Sequence, residues 1–312
     1  MRSVIFRAHA LNNRGYSKDT HREIKTVTVI GGGLMGSGIV QVAAATGHNV
    51  TLVDRDNELL DRCSVRIRKS LERVTKKKYS DDQEGGRCFL DNTLSRIKYT
   101  LDHEKASADC DLIIEAIMED IDVKQKLFSG LDRVARADTI FASNTSSLSI
   151  TEIAEATNRK DKFGGLHFFN PVPMMKLVEV VRTDLTSALT HMSLCAFGRA
   201  LGKTTVDCKD TPGFVVNRLL VPYMAEAVRM LERGDASDRD IDVAMKLGAG
   251  YPMGPFELSD YVGLDTMKFI LDGWNKKFPD NPLFKPIPML SQKVSEGKLG
   301  MKSGEGFYKY EK

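Results

Sequence analysis

The feature that most constrains the fold is a glycine-rich turn between two apolar segments near the N-terminus. Residues 27–30 form a β-branched run that is typical of a buried strand, and residues 34–45 predict a helix that packs on a sheet. The turn between them reads Gly31-Gly32-Gly33-Leu34-Met35-Gly36. In this strand–turn–helix context the spacing G-x-G-x-x-G predicts a pyrophosphate-binding loop, since its glycines permit a tight turn, close approach of a phosphate and close helix packing.

An acidic residue at the end of the next predicted strand, 49–53, narrows the choice of ligand. Asp54 lies 18 residues beyond Gly36. A carboxylate at this position accepts hydrogen bonds from ribose hydroxyls and repels a 2′-phosphate, so the segment predicts binding of NAD rather than NADP. Arg55 is the counter-indication, because a neighbouring arginine can accommodate that phosphate. A glycine turn that holds no nucleotide is the alternative interpretation.

Further apolar strands alternate with helices up to residue 208. Helices are predicted at 59–78 and 123–134, and strands at 112–117, 139–142, 165–168 and 177–181. This alternation predicts an α/β fold with a Rossmann-like, doubly wound and mostly parallel sheet. Helical patterns dominate from residue 214 onward. The predicted division is therefore an NAD-binding Rossmann domain at 25–209 and an all-α substrate and dimerisation domain at 210–312.

The composition argues against several classes of protein. The chain has 312 residues, with 45 Lys and Arg against 42 Asp and Glu, and this balance disfavours a nucleic-acid-binding protein. No apolar run approaches the ~20 residues that span a bilayer, so no transmembrane segment is predicted. The five cysteines form no Cys-x-x-Cys pair and the six histidines form no His-x-x-x-His pair. Neither a metal site nor a disulfide framework is therefore predicted.

Residues 1–24 differ in composition from the rest of the chain. No acidic residue precedes Asp19, and the basic residues before it are Arg2, Arg7, Arg14 and Lys18. This acid-poor and weakly amphipathic composition is typical of a mitochondrial transit peptide. A secretory signal is disfavoured because Arg7 interrupts the apolar stretch. The alternative is a disordered tail of a cytosolic protein.

Two titratable residues on neighbouring predicted strands form a candidate acid–base pair. His167 lies near the end of the strand 165–168, where ligands bind in α/β sheets, and Glu179 lies on the next strand. A carboxylate bonded to one imidazole nitrogen fixes the tautomer and favours the charged ring. The other nitrogen can then accept a substrate proton. A histidine with a purely structural role is the alternative.

Two polar segments are ambiguous from their residues alone. The segment Ser143-Asn144-Thr145-Ser146-Ser147 follows the strand 139–142, and it reads equally well as an N-cap cluster for the next helix. The run Lys76-Lys77-Lys78 at a helix end suits a multiply phosphorylated anion such as coenzyme A, but it also suits an ordinary solvated helix face.

Several motifs occur in the order that is found in one enzyme family. The glycine turn and the segment 143–147 are followed by His167-Phe168-Phe169-Asn170-Pro171, Asp210-Thr211-Pro212-Gly213-Phe214, Tyr251-Pro252-Met253-Gly254-Pro255-Phe256 and Gly304-Glu305-Gly306-Phe307-Tyr308. Over residues 25–311 the chain resembles the short-chain L-3-hydroxyacyl-CoA dehydrogenases of mitochondrial fatty-acid β-oxidation. Several spaced motifs in one order are far more specific than any single one.

The resemblance implies oxidation of the 3-hydroxyl of an L-3-hydroxyacyl-CoA to a ketone, the third step of β-oxidation, with hydride transfer to NAD in the mitochondrial matrix. It implies that His167 is the general base, that Glu179 orients it, and that Ser146 and Asn217 hydrogen-bond the substrate in a cleft between the domains. The positions implied to contact the dinucleotide are Gly31, Gly32, Gly33, Leu34, Met35, Gly36, Asp54, Glu119, Lys124, Ser146, Asn170 and Lys302. Those implied to contact coenzyme A are Ser70, Lys77 and Ser146.

The resemblance also implies a homodimer that forms through the helical domain. Apolar residues beyond the needs of one small core are expected at Leu219, Leu220, Val221, Tyr223 and Met224. One departure from the family is the pair Gly85-Gly86, which predicts a weakened helix in the segment that faces coenzyme A.

Two other functions stay open. A dehydrogenase of a free hydroxy or sugar acid would share the fold, although a small acid has no use for the lysine run and Ser70. A non-catalytic NAD-binding or structural protein would also share it. The joint presence of His167, Glu179, Ser146 and Asn217 disfavours that second alternative.

Overall fold

The computed structural model describes residues 21–311. Within this range the chain forms two compact units, one made of residues 21–144 and 154–207 and the other of residues 145–153 and 208–311. The predicted division at residue 209 did not anticipate that the short segment 145–153 groups with the helical unit. Most of the predicted transit peptide lies outside the described residues. Its last residues belong to the folded unit, because Ile24 is buried and Arg22 pairs with Asp111 at 2.7 Å.

The first unit is built on an eight-stranded sheet with the order β3-β2-β1-β4-β5-β6-β7-β8. The strands are β1 Thr26–Ile30, β2 Asn49–Val53, β3 Ile97–Thr100, β4 Leu112–Glu115, β5 Ile140–Ser143, β6 Phe163–Phe168, β7 Leu177–Arg182 and β8 Thr204–Lys209. Strands β1 to β6 pair in parallel, whereas β6 and β7 are antiparallel. The prediction of a mostly parallel, doubly wound sheet is confirmed.

The helices follow the strands in alternation and then take over the C-terminal part of the chain. They are α1 Leu34–Ala45, α2 Asn57–Lys78, α3 Gln83–Ser95, α4 His103–Ser107, α5 Ile121–Val134, α6 Ile150–Ala154, α7 Ala188–Ala200, α8 Val216–Arg233, α9 Asp238–Gly248, α10 Pro255–Val262, α11 Leu264–Lys277 and α12 Pro288–Ser295. No helix within residues 21–311 is long and apolar enough to cross a membrane.

The central strands are buried on both faces of the sheet. All four residues of β4 and all four of β5 are buried, which explains their continuous apolar sequences. Since β1, β4, β5 and β6 run in parallel, their carboxyl ends lie at the same edge of the sheet. The glycine turn, Glu115, Ser143 and His167 are consequently placed along one edge, where open α/β sheets bind ligands.

Strands β3 and β8, at the two edges of the sheet, and helix α3 were not predicted from the sequence. Strands β3 and β8 are partly exposed and carry polar residues, so they lack the apolar run that identified the central strands. Helix α3 forms in spite of the weakening predicted from Gly85 and Gly86. Both glycines lie in the first turn of α3, directly after Asp82, whose carboxylate accepts a hydrogen bond from the Gly85 amide at 2.9 Å. A capped first turn tolerates glycine better than a helix interior does.

The apolar residues expected to lie on the surface of α8 serve mostly in the core of the helical unit. Val221 and Met224 are buried, and Leu220 and Tyr223 pack against the same core. Only Leu219 among the five is exposed, at 68%. The expectation of a surplus at all five positions is wrong, because α8 is the helix on which α9, α10, α11 and α12 all pack.

Two buried aspartates hold the loops of the helical unit. Asp242 accepts a hydrogen bond from the Phe256 amide at 2.8 Å, and Asp260 accepts bonds from the amides of Phe307 and Tyr308 at 2.8 and 2.9 Å. Burial raises the pKa of Asp242. The two C-terminal motifs that carried part of the resemblance are therefore structural, since they dock on these carboxylates.

Candidate functional site

The glycine turn has the shape that close backbone packing demands. Gly31 has φ of 105°, and its amide donates to the Val53 carbonyl at 2.9 Å. A Cβ atom on Gly36 would lie 1.7 Å from the Gly31 carbonyl oxygen. Side chains are thus excluded at both positions by backbone atoms that cannot move away. The space beside Gly33 is open, since a Cβ atom added there would have no other atom within 4 Å.

The start of α1 is suited to a phosphate group. Gly33 is the N-cap residue, no side chain caps the helix, and its first turn holds no acidic residue. By contrast, α2, α3, α4, α5, α7 and α9 are each capped by an aspartate or serine side chain. The first amides of a helix carry partial positive charge, and they favour an anion. The turn and the open space at Gly33 fit a dinucleotide pyrophosphate.

Asp54 is held beside the glycine turn by two backbone amides. Its carboxylate accepts hydrogen bonds from the Gly32 amide at 2.6 Å and the Arg55 amide at 2.7 Å. The Arg55 side chain is 84% exposed and lies 3.6 Å from Asp56. An exposed contact of this length holds Arg55 only weakly, so the preference for NAD rests on Asp54. Burial raises the pKa of the nearby Cys63 thiol to about 11, so this cysteine stays protonated.

The structure brings His167 and Glu179 into hydrogen-bond contact. The two residues face each other in the antiparallel register of β6 and β7. The His167 Nδ1 and a Glu179 carboxylate oxygen lie 2.7 Å apart, and both side chains are buried. Because a carboxylate accepts, Nδ1 carries the proton and the neutral ring presents Nε2 as its basic nitrogen. This arrangement can take up one proton and stabilise the resulting cation.

Asn144 positions the strand segment that bears His167, a role that the sequence did not assign. The Asn144 side-chain oxygen accepts a hydrogen bond from the Phe168 backbone amide at 2.9 Å. The Asn144 backbone amide donates to the Glu115 backbone carbonyl, also at 2.9 Å. Both Asn144 and Phe168 are buried. The signal available in the sequence was the placement of Asn144 directly after a strand, within a segment already marked as polar.

A buried ion pair at the ends of β4 and β5 was also missed. The Lys124 ammonium lies 2.5 Å from one Glu115 carboxylate oxygen, and the Ser143 hydroxyl donates to the other at 2.6 Å. Lys124 and Glu115 are almost wholly buried. Glu119, which is partly exposed, is the second carboxylate near Lys124, at 3.3 Å. Lys124 and Glu119, both predicted to contact the dinucleotide, therefore belong to one charged cluster with Glu115.

Ser146 and Asn217 come together within the helical unit. The Asn217 side-chain amide donates to the Ser146 carbonyl oxygen at 3.3 Å. Asp210 fixes the same segment, because its carboxylate accepts from the amides of Ile150 and Thr151 at 3.0 and 2.8 Å. The motif that begins at Asp210 thus caps helix α6 and holds the segment 145–153 in place.

The remaining predicted site residues are distributed over both units. Ser70 and Lys77 lie on α2, two turns apart and therefore on one face, with Lys77 exposed. Asn170 is exposed after β6. Lys302 is half-exposed and pairs with Asp265 at 2.6 Å.

Comparison with known proteins decides the family. The sequence pattern of the 3-hydroxyacyl-CoA dehydrogenase NAD binding domain matches residues 26–211, and that of the 3-hydroxyacyl-CoA dehydrogenase C-terminal domain matches residues 213–310. The chain belongs to the 3-hydroxyacyl-CoA dehydrogenase family. The predicted family and fold class are thereby confirmed, and the first unit is an NAD-binding domain of an NAD-dependent oxidoreductase.

Individual relatives match almost the whole chain. The chain is 61% identical over 287 residues to the mouse protein named mitochondrial hydroxyacyl-coenzyme A dehydrogenase, which covers 92% of this chain and 91% of the relative. The human protein of the same name is 60% identical with the same coverage. Among solved structures, FadB2 of Mycobacterium tuberculosis has a TM-score of 0.86 at 43% identity, covering 93% of this chain and all of FadB2. The (S)-3-hydroxybutyryl-CoA dehydrogenase PaaH1 of Ralstonia eutropha has a TM-score of 0.87 at 40% identity, with the same coverage.

Proposed function

We propose that this member of the family oxidises the 3-hydroxyl group of an L-3-hydroxyacyl-CoA to the ketone, with His167 as the general base. The observation that carries the proposal is the buried contact of 2.7 Å between His167 Nδ1 and Glu179, at the carboxyl edge of the sheet in the NAD-binding unit. Histidine is the side chain whose ordinary pKa lies near neutrality, and this suits a base that must take up a proton and return it at physiological pH.

The proton path runs through the two nitrogens of one ring. His167 Nδ1–H donates to Glu179, and Nε2 accepts the proton from the substrate hydroxyl. The resulting imidazolium then lies against the Glu179 carboxylate, which stabilises its charge in a buried setting. Asn144 acts as a positioning residue, because it fixes the backbone directly after His167.

NAD supplies the hydride acceptor when it is bound. Residues of the first unit would hold it: the glycine turn and the start of α1 would bind the pyrophosphate, and Asp54 would bind the ribose hydroxyls. The cluster of Lys124 and Glu119, together with Asn170, would contribute further polar contacts from the same unit. The open space at Gly33 and the uncapped start of α1 support this assignment.

Substrate recognition divides between two groups of residues. Ser146 and Asn217 hydrogen-bond the substrate oxygens, and their mutual contact of 3.3 Å supports a joint role. Ser70 and Lys77 on one face of α2 bind coenzyme A, with the basic end of the helix, Lys76 to Lys78, attracting its phosphates. A small free acid offers no group for this face.

We further propose a homodimer that forms through the helical unit, and residence in the mitochondrial matrix. Exposed apolar side chains on that unit support the dimer, among them Leu219 at 68% and Leu247 at 83% exposure. The mitochondrial names of the mouse and human relatives support the compartment.

A substrate series tests the proposed function. Formation of NADH is followed with L-3-hydroxybutyryl-CoA, its D enantiomer, the corresponding pantetheine thioester and free L-3-hydroxybutyrate, and each assay is repeated with NADP. We expect turnover of the L-acyl-CoA with NAD, a raised KM for the pantetheine thioester because it lacks the phosphates, and little turnover of the D enantiomer or the free acid. Turnover of the free acid with an inert acyl-CoA would overturn the proposal and favour a hydroxy-acid dehydrogenase.

A further inference from the structure

Three potential metal ligands meet between helix α7 and the edge strand β8, within the first unit. His191 and Cys195 are one helical turn apart on α7, and Asp207 lies on β8. The Asp207 Oδ1 atom is 3.3 Å from His191 Nε2 and 3.2 Å from Cys195 Sγ. The remaining distance, from Cys195 Sγ to His191 Nε2, is 3.7 Å. None of the three residues takes part in the proposed dehydrogenase chemistry.

The cluster has a closed side and an open side. Cys195 is buried and the His191 side chain is only 14% exposed, whereas the Asp207 side chain is 60% exposed. Among the residues that the structure describes, His191 Nδ1 is buried without a hydrogen-bond partner. The polar contacts of the ring are therefore made at Nε2, the atom that faces Cys195 and Asp207. An ion could enter past Asp207 and meet ligands that are already oriented.

These separations lie close to the ligand spacing of a tetrahedral zinc site, within about 0.1 Å of the range expected from zinc–ligand bond lengths. With Zn–S near 2.3 Å and Zn–N and Zn–O near 2.0–2.2 Å, ligand atoms at tetrahedral angles lie roughly 3.3–3.6 Å apart. The three observed separations are 3.2, 3.3 and 3.7 Å. The ligand set of one imidazole, one thiolate and one carboxylate is also one that Zn²⁺ accepts. We propose that His191, Cys195 and Asp207 bind one zinc ion, with water in the fourth position.

Binding exchanges one proton for the metal ion. The Cys195 thiol donates a hydrogen bond to Asp207, and burial together with that carboxylate raises the pKa of Cys195 to about 12. On binding, the Sγ–H bond breaks, the thiol proton leaves to solvent, and the thiolate forms a bond to zinc without any change of oxidation state. The ion replaces a contact between a thiol and a carboxylate with bonds that tie α7 to the edge strand β8.

The sequence held a signal for this cluster. A search for Cys-x-x-Cys and His-x-x-x-His pairs passes over a mixed pair, yet His191-x-x-x-Cys195 places two ligands on one helix face just as well. The third ligand, Asp207, comes from a strand that the sequence did not predict, so only the fold brings the set together.

Metal titration of the full-length, untagged protein tests the site. Zn²⁺ is titrated in competition with a chromophoric chelator, and Co²⁺ is used as the spectroscopic probe, since a cysteine thiolate bound to Co²⁺ gives a charge-transfer band in the near ultraviolet. We expect one Zn²⁺ per chain and a thiolate–cobalt band. Cys195→Ser should abolish the band and Asp207→Asn should weaken Zn²⁺ binding by at least about 100-fold, the upper end of the effect of losing an outer-sphere partner.

Two control variants distinguish zinc binding at this site from binding to other thiols and carboxylates on the surface. Cys88→Ser removes an exposed thiol, and Asp184→Asn removes an exposed carboxylate of the same unit. Both should bind Zn²⁺ like the unmodified chain, and all four variants should keep their NAD-dependent turnover as evidence of folding. The proposal is overturned if the unmodified chain binds no Zn²⁺ at micromolar concentration, or if Cys195→Ser and Asp207→Asn bind it as tightly as the controls.

Discussion

At the residue scale, the register between β6 and β7 explains how His167 is oriented for its proposed role as a base. Strand β7 runs antiparallel to β6, and this places Glu179 directly opposite His167. A cross-strand pair is fixed by two backbones, so the imidazole is oriented without help from a mobile loop. The 2.7 Å contact is buried, where a carboxylate stabilises a cation more strongly than it does in water.

Replacement of Glu179 tests this pairing. Glu179→Gln keeps the size of the side chain but removes its charge, so the imidazolium formed during turnover loses its counter-ion. We expect kcat to fall by about 10²- to 10³-fold, within the range of acid–base catalysis, while NADH affinity stays unchanged. Turnover of Glu179→Gln within a factor of about ten of the unmodified chain would speak against the pairing.

The buried pair of Lys124 and Glu115 gives a prediction on stability. Lys124→Met would leave the Glu115 carboxylate buried with no ammonium group beside it, and breaking such a pair costs about 3–5 kcal/mol of unfolding free energy. Lys126→Met on the same helix α5 is the matched control, because Lys126 is exposed and should change stability by less than about 0.5 kcal/mol. Urea unfolding of the two variants makes the comparison. Equal stabilities would show that the pair is not a structural element.

How far the sequence predicts the site depends on the residue. His167 and Glu179 could be paired from their positions on neighbouring strands, because both strands carried a clear apolar pattern. Glu115 and Asn144 could not, since each acts through a partner on a different strand or helix that only the fold brings near. The Asp210 motif was recognised, but its role as a remote cap of α6 depends on a contact across 60 residues of sequence.

At the scale of elements, two glycines of the turn have different roles. Gly36 is required for packing of the backbone, whereas Gly33 leaves space for a ligand. A side chain on Gly36 would strike the Gly31 carbonyl, whereas a side chain on Gly33 meets no protein atom. The sequence motif predicts close helix packing for Gly36 and approach of a phosphate for Gly33. The space around each glycine in the structure agrees with that division.

Two alanine variants test that division. Gly33→Ala, at φ of −61°, should leave the stability unchanged or raise it by up to about 1 kcal/mol. It should nevertheless weaken NADH binding by about tenfold or more, which corresponds to ~1.4 kcal/mol, because a methyl group occupies the space for the pyrophosphate. Gly36→Ala should lower the melting temperature. Fluorescence titration and thermal unfolding measure both properties, and normal NADH affinity in Gly33→Ala would contradict the assignment.

At the scale of the whole molecule, the sequence indicates where the secondary structure changes character but not which residues lie on the surfaces of the two units. The change from alternating strands and helices to helices alone is visible in the sequence, and the structure changes character at the same place. The apolar residues of α8 were misassigned because helical periodicity does not tell which face meets the core and which meets another subunit. Burial in the folded unit leaves only Leu219 of that group on the surface.

Two experiments test the proposed homodimer: the mass of the protein in solution, and the effect on that mass of lysines introduced into the proposed interface. Sedimentation equilibrium should give about twice the chain mass of 34.7 kDa. The double variant Leu219→Lys and Leu247→Lys, on the helical unit, should shift the equilibrium to monomer, because a buried interface disfavours unpaired charges. Leu185→Lys is the control, as Leu185 is 55% exposed on the other unit. A monomeric unmodified chain, or a double variant that stays dimeric, would refute this surface.

Turnover of His167→Ala, measured beside its NADH affinity, tests the central claim most directly. Removing the imidazole base should lower kcat for L-3-hydroxybutyryl-CoA by about 10²- to 10⁴-fold. NADH binding should remain at its normal affinity, since the glycine turn and Asp54 lie at other strands of the sheet. This combination would identify His167 as the base of a dehydrogenase. Near-normal turnover in His167→Ala would contradict the account.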